Sequence, residues 1–306
     1  MKIVIAGASG NVGYRTAERL LAKGISPVLI ARNIKAVKPL LDRGAQLIAG
    51  GSDNFEVLDA ATASADALLW MTPPALGEPS LQGWYQQTAR LAAQAVARNG
   101  VKRVVHISAV GALQNTGLGT VSYVAEVELA LAAACKNLVN LRPGYFMQNL
   151  VPQLKGISKL PENQPAELQM TFEPNHDVPW ISAADIGDVA AGYLMDATWA
   201  GQWSRNLMGP QNLSMVEVAK IVSKASNRSV SYQQIPVEFM NGIFAAQGAN
   251  EKVQSEMRDL MTALGDKDGV YATARTSEAE TPTTMQQFVE DCCAVSSGWL
   301  GDVVAL

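Results

Sequence analysis

Short apolar runs alternate with amphipathic stretches through the first half of the chain. Each run is continuously apolar, as expected of a strand covered on both faces, while the stretches between them repeat apolar residues with helical spacing. The pattern predicts strands at 2–6, 27–31, 46–48, 67–71, 103–108 and 137–142. It predicts helices at 11–23, 34–42, 55–62, 83–98 and 122–135. Right-handed βαβ crossovers then predict a doubly wound parallel sheet, in the strand order 3-2-1-4-5-6.

The pattern loosens after residue 150. Five prolines between residues 151 and 179 predict loops that cover a cleft. The predicted helices beyond them are 185–195, 214–226, two within 237–264 that separate near Gly248, and 283–293 after Pro282; the predicted strands are 203–208 and 230–234. Ser214 and Glu217 fit a capping box. We therefore expect residues 151–306 to form a smaller mixed α/β substrate lobe, partly interleaved with residues 1–150.

Three glycines follow the first predicted strand, at Gly7, Gly10 and Gly13. Gly7 would allow a sharp turn, Gly10 would let backbone N–H groups approach a pyrophosphate, and Gly13 would let the helix pack on the strand. The N-terminus of that helix adds N–H donors and the positive end of its dipole. Between a strand and a helix, this spacing favours a dinucleotide-binding Rossmann domain over residues 1–150 rather than a purely structural turn.

The second predicted strand ends in Arg32 and Asn33. A domain that selects NAD usually has an acidic residue here, to accept hydrogen bonds from the ribose 2′-OH. The planar guanidinium of Arg32 suits the 2′-phosphate of NADP instead, so we expect NADP(H) to be preferred over NAD(H), unless Arg32 is only a solvated surface residue. Further cofactor-binding residues are expected at the carboxyl ends of the strands. They are Ser9, Asn11, Val12, Asp53, Met71, Thr72, Pro73, Ser108, Pro143 and Tyr145.

Composition narrows the function classes. The 306 residues are 48% hydrophobic and 17% charged, with a net charge of −4 and no basic run, which argues against direct nucleic-acid binding. No apolar stretch approaches the length of about 20 residues that spans a bilayer, and the chain enters a strand at once, so we expect a cytoplasmic protein without a membrane partner. With three cysteines and two histidines, neither a disulfide framework nor a metal site is expected.

Six segments resemble the NmrA-like group of atypical short-chain dehydrogenases/reductases. They are residues 7–13, 31–33, 101–108, 141–149, 185–190 and 281–288. The resemblance implies binding of NADP(H) or NAD(H). Some members of the group reduce quinones or other small carbonyl compounds, while others are redox sensors with little or no catalysis. A homodimer or a protein partner is compatible with the second role.

The residues that would carry acid–base chemistry are incomplete. Short-chain dehydrogenases commonly use a serine and a Tyr-x-x-x-Lys pair. Ser108 and Tyr123 are the candidates, but Val127 stands at the lysine position. Relatives in the NmrA-like group often carry a lysine four residues before a helical glutamate; if that residue is Glu128, the lysine position is Val124. An unassisted tyrosine has a pKa of ~10, so Tyr123 would be a poor acid, and a structural role remains open for both candidates.

A reactive acceptor would need less assistance than an ordinary ketone. A quinone accepts hydride readily, and water can protonate the product. The residues expected to contact such a substrate are Tyr145, Phe146, Asn149 and Trp180; Trp84, Tyr85 and Phe239 would line the cleft or pack in the core. His176 is expected on the surface of a loop, with a proton-donor role as the alternative. The leading interpretation is an NADPH-dependent oxidoreductase, and the alternative is a non-catalytic NADP-binding sensor; an epimerase is disfavoured because it needs the Tyr-x-x-x-Lys pair.

Overall fold

The computed structural model describes residues 1–114, 116–161 and 164–294. Its strands are β1 (Ile3–Ala6), β2 (Val28–Ala31), β3 (Gln46–Ala49), β4 (Ala67–Met71), β5 (Arg103–Ile107), β6 (Leu138–Pro143), β7 (Tyr145–Phe146), β8 (Ala166–Met170), β9 (Val178–Ile181), β10 (Gln202–Leu207), β11 (Asn212–Leu213) and β12 (Val230–Gln234). Its helices are α1 (Asn11–Ala22), α2 (Ile34–Asp42), α3 (Phe55–Thr62), α4 (Leu81–Asn99), α5 (Thr120–Ala134), α6 (Val151–Ser158), α7 (Ala183–Met195), α8 (Met215–Ser226), α9 (Met240–Ala246), α10 (Glu251–Gly265) and α11 (Met285–Ala294). The elements predicted for the first half are confirmed to within two residues.

The main sheet has seven parallel strands in the order β3-β2-β1-β4-β5-β6-β10. This confirms the predicted order 3-2-1-4-5-6 and adds a seventh strand from the second half of the chain. The residues of β1 and β2 are buried throughout, which is the consequence of helices on both faces. The fold is a Rossmann-like α/β fold, as expected.

Two apolar cores flank this sheet. Residues of α1, α2 and α7 pack on one face, while residues of α3, α4 and α5 pack on the other. A third core joins the smaller elements, namely the three-stranded sheet β11-β9-β7, the pair β12-β8 and the helices α6, α8 and α10. Val110, Tyr145 and Met147, which follow the carboxyl ends of β5 and β6, belong to this third core. Elements from both halves of the chain therefore border the carboxyl edge of the main sheet.

Helix α7 packs against α1 at a close backbone approach. A Cβ added at Gly187 would lie 2.8 Å from the Cβ of Arg15 and 3.0 Å from the Val12 carbonyl oxygen, so only glycine fits at this depth. Two arginines then close the contact, since Arg15 and Arg19 place guanidinium nitrogens 2.7 and 2.6 Å from the Asp188 carboxylate. The contact ties the second half of the chain to the helix that follows the glycine turn.

The segment from residue 151 to 179 differs from the expected run of loops. Its described residues contain α6, β8 and the start of β9; residues 162 and 163 are not among them. Pro152 stands in the first turn of α6, where no helical partner for its missing N–H is required. The capping box of Ser214 and Glu217 is confirmed at the start of α8. The last helix begins at Met285 rather than at 283, because Thr284 is its cap and accepts the Gln287 N–H on its hydroxyl oxygen.

Among the described residues, no helix is both long enough and apolar enough to cross a membrane.

His106 lies fully buried in β5, and its Nδ1 is 2.9 Å from Asn140 Oδ1 on the neighbouring strand. Burial lowers the pKa of His106 to about 4, because the charged imidazolium would lose its solvation; the hydrogen bond to Asn140 Oδ1 opposes this shift. The imidazole is therefore neutral in the folded protein at neutral pH.

This burial predicts a pH-dependent stability. The unfolded chain binds the His106 proton near pH 6.5, and the folded chain does so only near 4. The contribution of neutral His106 is thus complete above pH 6.5 and is lost as the pH falls from 6.5 to 4. Between pH 7 and 5 the free energy of unfolding should fall by about 2 kcal/mol through this group. In His106→Gln, urea titrations at the two pH values should show this loss removed; an equal loss in both proteins would contradict the assignment.

Candidate active site

The turn between β1 and α1 forms the floor of the site. Gly7 has a φ of +75°, a left-handed conformation that favours glycine, and its carbonyl oxygen accepts the Gly10 N–H at 3.0 Å. A Cβ added at Gly13 would lie only 2.4 Å from that same oxygen. The first turn of α1 therefore lies directly against the end of β1. Ser9 is exposed in this turn, Asn11 is partly buried, and Val12 packs in the core.

The N-terminus of α1 is left open to an anion. Gly10 is its N-cap, no side chain caps it, and its first turn carries no acidic residue. By contrast, Asn33 caps α2 and Ser80 caps α4. A Cβ added at Gly10 would lie 3.8 Å from Met71 Cε. A side chain at this position would therefore fill the space between the start of α1 and Met71. These residues fit the pyrophosphate of a dinucleotide.

Arg32 follows β2 at the same edge of the sheet. A Cβ added at Gly51 would lie 3.4 Å from Arg32 Cδ and 2.0 Å from Asp53 Oδ1, so both side chains lie against the backbone of Gly51. Arg32 is exposed, and within the described residues no carboxylate forms an ion pair with it. The guanidinium is available to a ligand at the end of β2. Asn33 already uses its Oδ1 to accept the Ala36 N–H, as the cap of α2.

The segment after β4 is held by its own contacts. Thr72 is buried, and its hydroxyl oxygen accepts the Trp70 indole N–H at 3.1 Å. The carbonyl oxygen of Pro73 accepts the Trp84 indole N–H at 3.0 Å. Thr72 thus turns toward the core, while the side chain of Met71 borders the glycine turn. At the end of β6, the carbonyl oxygen of Pro143 accepts the backbone N–H of Val110 at 3.0 Å.

Ser108 directly follows β5 and belongs to a buried polar cluster. Its hydroxyl donates to Glu128 Oε1 in α5, and Glu128 is only 2% exposed. Arg142 of β6 donates to both oxygens of the same carboxylate, from Nε at 2.9 Å and from Nη2 at 2.6 Å. The sequence pattern alone does not connect these residues. Its available signals were a single glutamate in an apolar stretch of α5 and an arginine at the end of an apolar strand.

Tyr123 lies on another side of α5 and faces α10. Its hydroxyl is 3.5 Å from Glu256 Oε1, and its ring lies 6.1 Å from that of Tyr85. Glu256 is buried and also accepts hydrogen bonds from Ser80 Oγ and the Leu81 N–H at the start of α4. Burial and the carboxylates of Glu256 and Asp259 raise the pKa of Tyr123 to about 12. An acid with such a pKa is mismatched to proton transfer at neutral pH.

The residues expected to contact substrate fall into two groups. Tyr145 and Trp180 are core residues whose rings meet edge to face at 5.1 Å, and the Trp180 indole donates to the Leu213 carbonyl oxygen. Burial raises the pKa of Tyr145 to about 12, opposed by a hydrogen bond from Asn149. Phe146 and Asn149 are only partly buried, so they retain surface for a ligand.

The remaining candidates also separate by burial. Trp84 and Tyr85 pack in the core, whereas Phe239 is 68% exposed at the start of α9. The expectation of a surface histidine at 176 is wrong. His176 is buried, its ring lies between those of Phe172 and Tyr271, and its Nε2 is 3.2 Å from the Leu264 carbonyl oxygen. The polar residues around it in sequence did not reveal that α10 covers this loop.

The sequence model of the NmrA-like family matches residues 1–295. The chain belongs to the NmrA-like family. Among curated proteins, an NAD(P)H azoreductase from Xenophilus azovorans is 25% identical over 288 residues, which cover 94% of this chain and 96% of that protein.

Solved structures of NmrA-like and related reductases share the fold. An NADPH-dependent quinone oxidoreductase from Escherichia coli, complexed with NADPH, superposes with a TM-score of 0.74 at 20% identity, over 94% of this chain and 99% of that one. A Citrobacter sp. triphenylmethane reductase, complexed with NADP(H), gives a TM-score of 0.75 at 18% identity, over 95% and 100%. At these identities the agreement shows the architecture.

The open turn predicts the effect of a single substitution. Gly10→Asp should abolish dinucleotide binding, because its side chain and charge would occupy the place of the pyrophosphate. Gly192→Asp is the matched control, since Gly192 is exposed in α7 with no atom within 4 Å of an added Cβ. Calorimetric titration with NADPH should separate the two variants. Unchanged affinity in a folded Gly10→Asp protein would remove the dinucleotide from this turn.

Proposed function

We propose that the protein is an NADPH-dependent oxidoreductase that reduces a small hydrophobic acceptor such as a quinone. The observation that carries the proposal is the uncapped N-terminus of α1 beside Gly7 and Gly10, which fits a pyrophosphate. The curated relative named an NAD(P)H azoreductase and the NADPH-bound quinone oxidoreductase with the same fold support it.

Three parts of the site would bind three different chemical groups: the pyrophosphate, the 2′-phosphate and the acceptor. Backbone N–H groups at the start of α1 would hold the pyrophosphate, and Arg32 would hold the 2′-phosphate that distinguishes NADPH from NADH. When bound there, NADPH supplies the hydride. Phe146 and Asn149, which keep partly exposed side chains, would contact the acceptor, with the segment after residue 150 forming that side of the cleft.

Proton transfer would not depend on Tyr123. Its hydroxyl faces Glu256, and its raised pKa makes it a weak acid at neutral pH. A quinone that has received a hydride carries its negative charge over an aromatic ring, so water suffices as the proton source. The site would therefore have to position the acceptor beside the cofactor, and it would not have to donate a proton.

The cofactor preference has a direct test at Arg32. Arg32→Ala should weaken NADPH binding by about 1.5–3 kcal/mol, the worth of hydrogen bonds to a charged group, and should leave NADH binding nearly unchanged. Lys23→Ala is the control, because Lys23 is an exposed cation at the far end of α1. Calorimetry with both cofactors measures the difference. Equal losses for NADPH and NADH would assign Arg32 to the fold instead.

The activity is tested by NADPH oxidation with a panel of quinones, azo compounds, aldehydes and enones. We expect measurable reduction of an activated quinone. Tyr123→Phe should retain this rate to within a few-fold, since its hydroxyl is bound to Glu256 and donates nothing to the acceptor. A large loss in a folded Tyr123→Phe protein that still binds NADPH would show that this hydroxyl takes part in the reaction.

The second candidate function is an NADP-binding redox sensor without catalysis. The observation in its favour is the position of Tyr123, because burial and the carboxylates of Glu256 and Asp259 raise its pKa. If no acceptor in the panel oxidises bound NADPH above background, this candidate replaces the first. Limited proteolysis with NADPH and with NADP⁺ would then report whether the two redox states hold the protein in different conformations.

A further inference from the structure

The buried cluster of Ser108, Glu128 and Arg142 has a defined arrangement of protons. Glu128 accepts one hydrogen bond from Arg142 on each of its carboxylate oxygens, at 2.9 and 2.6 Å. A guanidinium stays protonated at any ordinary pH, so both of these bonds are donated by Arg142. As the carboxylate of an ion pair with Arg142, Glu128 has no proton of its own and only accepts hydrogen bonds. The contact between Glu128 and Ser108 must therefore use the proton of the serine.

This arrangement fixes what Ser108 can offer to any other group. A hydroxyl has one proton and two acceptor lone pairs, and the proton of Ser108 is committed to Glu128. The commitment is strong, because the acceptor is a charged carboxylate that is only 2% exposed. Toward a ligand at the end of β5, Ser108 is therefore a hydrogen-bond acceptor.

We propose that Glu128 and Arg142 are positioning residues that hold Ser108 as an acceptor, and that this restricts the substrates to compounds whose reduced oxygen needs no proton from the protein. The proposal rests on the proposed function, because it concerns the acceptor class of the same site. Quinones belong to this class, whereas ordinary ketones do not. Ketone reduction builds charge on a localised alkoxide, which requires a donor that Ser108 does not provide.

The reduction balances without a protein acid. A bound NADPH would supply a hydride, which is one proton and two electrons, and would be left as NADP⁺. The quinone would take the hydride, both of its carbonyl π bonds would be replaced by the aromatic ring and two C–O single bonds, and the resulting hydroquinone monoanion would take its second proton from water. Ser108 would go on donating its proton to Glu128 and would not change its own protonation.

The deciding experiment removes the carboxylate and its partner together. Glu128→Leu/Arg142→Met replaces the ion pair by apolar side chains of similar volume, a change that buried ion pairs often tolerate. The Ser108 hydroxyl is then free to donate to a carbonyl oxygen. The ratio of kcat/KM for a ketone to that for a quinone should rise about tenfold, the worth of one hydrogen bond in the transition state. The same double substitution in a Ser108→Ala background should leave the ratio unchanged.

The outcomes separate this inference from the proposed function. If the folded double variant binds NADPH and the ratio does not rise, or if the ratio rises equally without Ser108, the positioning role is wrong while the quinone activity stands. If the wild-type protein reduces no quinone, the proposed function fails first and this inference with it. Should the double variant not fold, the solvent deuterium effect on wild-type quinone reduction decides. A value of about 1 is expected for hydride transfer without a coupled protein proton, and a clear effect would overturn the proposal.

Discussion

The approach of Gly13 to the carbonyl oxygen of Gly7 is the constraint from which the rest of the structure follows. A Cβ at position 13 would lie 2.4 Å from that oxygen, so α1 can lie against the end of β1 only because the side chain is absent. The uncapped N–H groups of α1 thereby reach the carboxyl edge of the sheet. A second glycine, Gly187, repeats the device where α7 packs on α1. Through these two contacts, α7 from the second half of the chain is held next to the helix that follows the glycine turn.

Buried carboxylates then fix the junctions between elements that are distant in sequence. Glu128 joins α5 to the ends of β5 and β6, Glu256 joins α10 to the start of α4, and Asp185 joins α7 to Thr283. A buried carboxylate is costly unless its oxygens are bonded, so each acid favours the one arrangement that supplies its donors. The price of such precision is chemical, because the hydroxyls that satisfy these acids are no longer free to act as acids themselves.

Much of the fold could be predicted because local pattern decides it. Strands buried on both faces are continuously apolar, and the glycines of the β1–α1 turn are determined by backbone geometry within seven residues. The order of the first six strands follows from crossover handedness. Burial imposed by distant elements could not be predicted in this way. His176 looks like a loop residue until α10 covers it, and Trp180 looks like a cleft aromatic until β11 accepts its indole N–H.

The same limit applies to the chemistry of the site. Helix α5 contains no lysine, so the sequence shows only that Tyr123 lacks its usual partner. The fold shows which groups Tyr123 and Ser108 contact instead. Tyr123 faces a carboxylate on α10, and Ser108 donates to one on α5, so both hydroxyls at the positions of the usual acid machinery point toward negative charge. Arg142 neutralises Glu128 without supplying a proton. Neither hydroxyl is then placed to give its proton to a ligand, so the proposed function requires the reactivity to come from the acceptor.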